Sequence, residues 1–238
     1  EKRRPWIDWI HTAKDQGALL RNFTKWDDEP RSPEGIVEAF LRSTQITRRA
    51  PQAPVYICLD AGLQEQRLTK PVKLPDVARF APAEDPCAPQ DVVDRVAGML
   101  ATARRPLILL GRLSQRQEDW DRRVRLAELL GASVLTSVRE RSAFPTEHPL
   151  HAAPPSYWVS QEMKDAISSA DVILSLNWVD LNGLLQQVNR STAEIASRIV
   201  HASLDSLLHN GWRMDHFGLA PVDQPVLAGP DAFVGQLL

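Results

Sequence analysis

The sequence predicts an α/β protein: a doubly wound parallel sheet, Rossmann-like, preceded by the C-terminal part of a second α/β domain. Three observations carry this. From residue 90 onward, short apolar runs alternate with segments of helical periodicity. Those runs are apolar throughout rather than alternating, as strands covered on both faces are. Upstream, Pro71, Pro75, Pro82, Pro86 and Pro89 fall within one stretch of little periodicity, and proline fixes φ and removes a backbone donor. The expected organisation is a partial domain over 1–68, a Pro-rich linker over 69–89 and a complete domain over 90–238.

The elements follow in order. Ser32 as N-cap, Pro33 at the first helical position and apolar Ile36, Val37, Phe40 and Leu41 predict a helix over 33–48. "PVYICLD" (54–60) is β-branched, apolar and too short for a helix, so it reads as a buried strand. Past the linker, residues 89–103 place Val92, Val93, Val96, Met99 and Leu100 on one helical face, and "PLILLG" (106–111) is a strand. Residues 117–130 form an amphipathic helix stopped by Gly131. "ASVLTSV" (132–138) is the next strand, and a helix over 159–169 leads into "DVILSLN" (171–177). A polar helix and the strand "SRIVHASLD" (197–205) complete the alternation, for a sheet of five or six strands. Arg116, Arg122, Arg123 and Arg125 read as a solvated helix face.

Composition excludes several classes. Charge is nearly balanced, 28 Lys+Arg against 30 Asp+Glu, which gives no support for nucleic acid or an acidic membrane surface as a partner. No apolar run approaches the ~20 residues of a membrane span, and the charged N-terminus is no secretory signal. Cys58 and Cys87 lack CxxC spacing, so a reducing, cytoplasmic setting is expected. The chain opens on a charged segment without Met, as a piece of a longer protein would.

In doubly wound sheets, ligands dock where loops converge at the carboxyl ends of the strands. Here those loops are 111–117, 139–152, 177–181 and 205–210. GxGxxG, GxxxxGK[ST] and GxSxG are all absent from the chain. His148 and His151 are three residues apart, but Pro149 prevents a shared helical face, so no metal site is assigned.

The stretches "RRPLILLGR", "AELLGASVLTSVRERSAFPTEHPLHAA", "SSADVILSLNWVDL" and "VHASLD" resemble the central domain of thiamin diphosphate-dependent enzymes of the acetolactate synthase and benzoylformate decarboxylase group. "TKWDDEPRSPEGIVEAFLRSTQITRRAPQAPVYICLDAGLQE" (24–65) resembles the end of the pyrimidine-binding domain in the same group. The resemblance implies a parent enzyme that uses thiamin diphosphate and Mg²⁺ to cleave or form a C–C bond next to a carbonyl of a 2-oxo acid. It also implies N- and C-terminal domains beyond this chain and assembly as a homodimer or homotetramer. The glutamate that activates the cofactor and the GDG motif that holds Mg²⁺ lie, in the family, outside the stretches matched here. This chain alone is therefore expected to be inactive and to bind no cofactor.

FAD is not expected either, because the glycine-rich loop of flavin-containing relatives is replaced here by Gly111-Arg112-Leu113-Ser114. Two candidate site residues follow from the resemblance. His148 matches a loop histidine that faces the cofactor and could relay protons. Gln16 matches a glutamine near the substrate, whose amide both donates and accepts. In the isolated chain His148 is expected to be substantially exposed, without a buried carboxylate partner, while His151 packs near a strand end. Two rival readings stand beside this one: a non-catalytic scaffolding or assembly domain, and an FAD- or nucleotide-binding Rossmann-like domain.

Overall fold

Asp15, Ser32, Asp60, Ser160 and Asp180 each open a helix by accepting a backbone N–H of its first turn. The computed structural model describes residues 13–189, 195–205 and 218–238, and the chain divides into two units, Glu1–Glu84 and Asp85–Leu238.

In the first unit, helix α1 (Gln16–Leu20) runs into a single 3₁₀ turn and then strand β1 (Trp26–Asp28). Helix α2 (Pro33–Arg48) crosses over to strand β2 (Val55–Ile57), which pairs parallel with β1, Trp26 opposite Val55. Helix α3 (Ala61–Glu65) follows. Lys25 ties the start of β1 to the far end of α2, its Nζ donating to the carbonyls of Ile46 and Arg49 at 2.9 and 2.7 Å. A cation there complements the negative end of the helix dipole. The apolar cover of this unit is thin. Among its described hydrophobic residues only Ala39 is buried, and Phe40, in the middle of α2, is 52% exposed.

The second unit opens with helix α4 (Gln90–Ala101) and strand β3 (Pro106–Leu110), followed by α5 (Gln117–Leu130) and β4 (Ser133–Thr136). Then come α6 (Gln161–Ser169), β5 (Val172–Leu176), α7 (Leu181–Val188), β6 (Arg198–Ala202), β7 (Gln224–Val226) and α8 (Pro230–Leu237). The five strands form one parallel sheet in the order β4-β3-β5-β6-β7. Every residue of β3 and β5 is buried because both faces are covered. Ile108, Leu110, Val172 and Leu174 join the core beneath α4, α5 and α8. Leu107, Leu109, Ile173 and Ile199 join the core beneath α6 and α7. This is the doubly wound sheet read from the sequence.

Several details differ from that reading. The helix after β5 is not polar: Leu181, Leu184 and Leu185 of α7 are buried in the core. Strand β7 and helix α8 were not foreseen, since "QPV" is too short to show a period. Pro225 is tolerated in β7 because that strand is the sheet's edge. The Pro-rich stretch is not a free linker at its C-terminal end. Ala88 exchanges two hydrogen bonds with the Gln236 side chain, and Pro86 accepts from Gly229 N–H. Earlier, Gln45 of α2 donates to Phe80 O at 2.9 Å.

Arg123 corrects the solvated-face expectation most sharply. It is 2% exposed and lies on the inner side of α5 with Asp119, Leu126 and Ala127. Its guanidinium pairs with Asp231 at the start of α8 and donates to Ala143 O and Ser114 O at 3.0 and 3.1 Å. All of its donor edges are thus used, which is how a buried arginine is accommodated.

Candidate functional site

β3 is flanked by β4 on one side and β5 on the other, so the chain reverses its winding there and the loops after β3 and β5 part. Such a switch point is where a doubly wound sheet offers a crevice to a ligand. In this chain the ladder between β3 and β5 runs on past that point, Gly111 N donating to Leu176 O and Arg112 N to Asn177 O. Gly111 follows β3, and a Cβ at that position would overlap the carbonyl of Asn177. The glycine is needed for backbone to meet backbone, not for backbone to meet a phosphate.

Asn177 takes a left-handed conformation (φ 53°), which asparagine tolerates better than most residues. Its Nδ2 donates to Arg112 O at 3.0 Å, and its Oδ1 accepts from Ser203 Oγ at 2.8 Å. Arg112 reaches across to an ion pair with Asp205, both side chains being largely buried. Loop residues 206–210, also read as part of this end of the sheet, lie outside the described residues.

The loop over 139–152 leaves β4 and returns to its edge. Val134 N donates to Leu150 O at 2.8 Å and Ala152 N to Val134 O at 2.9 Å, so the end of the loop pairs parallel with β4. Ala143 and Phe144 sink into the core beneath α5. His151 packs where β4 ends: its Nε2 is 3.0 Å from Thr136 Oγ1, and its ring stacks on Phe144. Burial holds the His151 imidazole below its ordinary pKa.

His148 departs from expectation. Its side chain is 19% exposed rather than open, because its ring packs edge-on against the buried Phe144 at 5.1 Å between centroids. Leu150 N donates to its Nδ1 at 3.2 Å, and its Nε2 lies 3.3 Å from Glu128 Oε1 of α5. That carboxylate is 58% exposed, so His148 has a carboxylate partner at the surface, not in the core.

Gln16 belongs to the first unit, at the start of α1. Its Oε1 accepts from Cys58 Sγ at 3.1 Å, which holds the amide beside the residue that follows β2. Next to it, Arg21 bridges Asp15 and Asp27 at 3.2 and 2.8 Å, and its guanidinium keeps both carboxyls below their usual range.

A buried polar pair escaped the sequence reading. His201 in β6 lies with its Nδ1 2.9 Å from Ser175 Oγ in β5, and burial pushes its pKa down to about 4. The available signal was a lone histidine among Ile199, Val200 and Ala202 of that strand. For Arg123 it was the i, i+4 spacing from Asp119 with Leu126 and Ala127 beyond, which puts all four on one helical face.

Among the described residues, no group of three or more His, Cys, Asp or Glu side chains is placed to hold a metal ion. No helix among the described residues is long and apolar enough to cross a membrane.

The central domain of the thiamine pyrophosphate enzymes, as a family model, matches residues 93–230. A sulfoacetaldehyde acetyltransferase of Rhodobacter capsulatus is 35% identical over 162 residues, 68% of this chain and 26% of that protein. A probable acetolactate synthase large subunit of Methanocaldococcus jannaschii is 24% identical over 199 residues, 80% of this chain and 32% of that protein. The chain thus spans about a quarter to a third of the length of these relatives.

Among solved structures, a "putative thiamin diphosphate-dependent enzyme" from Mycobacterium smegmatis superposes on 98% of this chain and 42% of its own, with a TM-score of 0.69 at 19% identity. Benzoylformate decarboxylase from Polynucleobacter necessarius covers 90% of this chain and 38% of its own, with a TM-score of 0.62 at 22% identity. At these identities the two structures speak to the fold.

Proposed function

The chain belongs to the thiamine pyrophosphate enzymes, whose central domain it carries, and from that membership we propose that it is part of a longer enzyme acting on a carbonyl compound with thiamin diphosphate and Mg²⁺. The reaction is the cleavage or formation of a C–C bond next to the carbonyl of a 2-oxo acid or a related acyl donor. Sulfoacetaldehyde, named by the relative at 35% identity and an aldehyde rather than a 2-oxo acid, is the other carbonyl compound to try beside pyruvate. Residues 1–68 supply the end of the pyrimidine-binding domain, 69–89 the linker and 90–238 the central domain. The match over 93–230, lying on the five-stranded parallel sheet, is the observation that carries this reading.

Thiamin diphosphate supplies the carbon nucleophile in such enzymes. This chain's own part is positional. His148 holds a proton at Nε2 on a loop braced by Pro145, Pro149 and the buried Phe144. Gln16 offers an amide that can donate to a carbonyl once its acceptor side is held by Cys58. Assembly as a homodimer or homotetramer, and a cytoplasmic place, belong to the same proposal and rest on the family resemblance. The crevice geometry at Gly111 and Arg112 supports an enzyme without flavin.

The full-length protein, supplied with thiamin diphosphate and Mg²⁺, should consume sulfoacetaldehyde or pyruvate only when both cofactors are present. His148→Ala should slow that turnover by roughly 10²-fold or more, the scale of a lost proton relay. Failure to turn over either substrate, with no rise in Tm on adding the cofactors, would sink the proposal.

A further inference from the structure

We infer that Glu128 is a positioning residue for His148, fixing the direction of its imidazole by accepting a hydrogen bond from Nε2. The inference rests on the relay role proposed above for His148. Two contacts define the tautomer. Leu150 N can only donate, so Nδ1, at 3.2 Å, must accept and carries no proton in the neutral ring. An ionised carboxylate can only accept, so Nε2, at 3.3 Å from Glu128 Oε1, must donate.

The ring plane is held as well, by the edge-on contact with Phe144, which is 4% exposed. The backbone on both sides is closed by turns, His148 N donating to Pro145 O and His151 N to His148 O. Nothing is left for the imidazole to choose: its orientation and its protonated nitrogen are both prescribed.

The placement of Glu128 in its helix points the same way. It lies in the last turn of α5, three residues before Gly131 takes the left-handed C-terminal position. A carboxylate there faces the negative end of the helix dipole, where a cation would be favoured. The Glu128 carboxylate thus gains nothing from the α5 dipole, and its partner is found 20 residues away on the loop. His151 stacks on the same Phe144 ring with its Nε2 engaged by Thr136, and Glu128 Oε1 is the acceptor placed at Nε2 of His148.

The test uses the full-length enzyme with thiamin diphosphate and Mg²⁺ and three variants: Glu128→Ala, Glu128→Gln and His148→Ala. Because Glu128 is exposed, both of its variants should keep the wild-type Tm. Glu128→Ala should lower kcat by about 10-fold with KM unchanged, the scale at which partners that orient a functional imidazole act. Glu128→Gln, whose amide oxygen still accepts from Nε2–H, should recover most of that loss. Side-chain ¹⁵N spectra, taken where imidazole is neutral, should show Nε2 protonated in the wild type and in both Glu128 variants, because the Leu150 N–H still needs Nδ1 as its acceptor, with the hydrogen-bond shift of the Nε2–H signal lost in Glu128→Ala and kept in Glu128→Gln. A defective His148→Ala beside a Glu128→Ala that matches wild type in kcat and in ring-nitrogen signals overturns the positioning role alone. A His148→Ala enzyme with the wild-type rate overturns the relay reading and this inference with it.

Discussion

Acidification should destabilise the larger unit, most strongly through His201. Burial between β5 and the cover of α6 and α7 lowers its folded-state pKa to about 4, against about 6.5 for a histidine in an unfolded chain. As pH falls, the unfolded chain takes up this proton first. The stability that His201 contributes is therefore complete above about pH 7 and is lost progressively toward pH 4. A gap of about 2.5 pK units at 1.36 kcal/mol each corresponds to about 3 kcal/mol over the whole range. The ring keeps some contact with solvent, so about 2 kcal/mol is expected to be lost between pH 7.5 and pH 5.

Urea unfolding at a series of pH values, with wild type and His201→Gln side by side, measures it. His151, also held low by burial, contributes in the same direction and remains in both proteins, so it cancels in the difference. Asp171, whose carboxyl is held low mainly by the Arg104 N–H, titrates below this window. The His201→Gln line should be flatter than wild type by about 2 kcal/mol at pH 5. Parallel lines would refute the claim that His201 is buried neutral.

Other substitutions probe the packing directly. Gly98→Ala, at an exposed position of α4 where a Cβ meets nothing within 4 Å, should raise stability by about 0.5–1 kcal/mol in thermal melts. Gly111→Ala should cost several times that and lower Tm sharply, because its Cβ would press into the Asn177 carbonyl. Arg123→Met should lose about 3–5 kcal/mol in urea unfolding, since it strands Asp231 and two backbone carbonyls without their donor. A smaller loss for Arg123→Met in the double variant with Asp231→Asn would identify the stranded charge as the cause. The purified full-length protein should lack flavin absorbance in the visible range; a yellow protein would refute the reading of Gly111 and Arg112.

The sheet was legible because its signals are local. "PLILL" and "VILSL" are apolar at every position, and only a strand covered on both faces needs that. Ser32-Pro33 and Gly131 marked helix ends through the backbone angles and cap bonds those residue types favour. His148 and Gln16 were reached only through a family resemblance, as nothing in the spacing of either points to chemistry.

What lay beyond the sequence was decided by contacts between residues far apart in the chain. Arg123 sits in a basic run that reads as solvent-facing, and its burial depends on Asp231, 108 residues away, and on Ala143 O. The direction of His148 depends on Phe144 having sunk into the core and on Glu128 waiting at the end of α5. Strand β7 is three residues with a proline in the middle, and it exists because β6 presents an open edge to it. Local sequence thus determined which segments become strands and helices, since propensity, capping and apolar periodicity act within a few residues. The tertiary structure decided which polar groups are buried and which way the imidazoles face, because a charge enters a core only where distant partners are already placed to meet it.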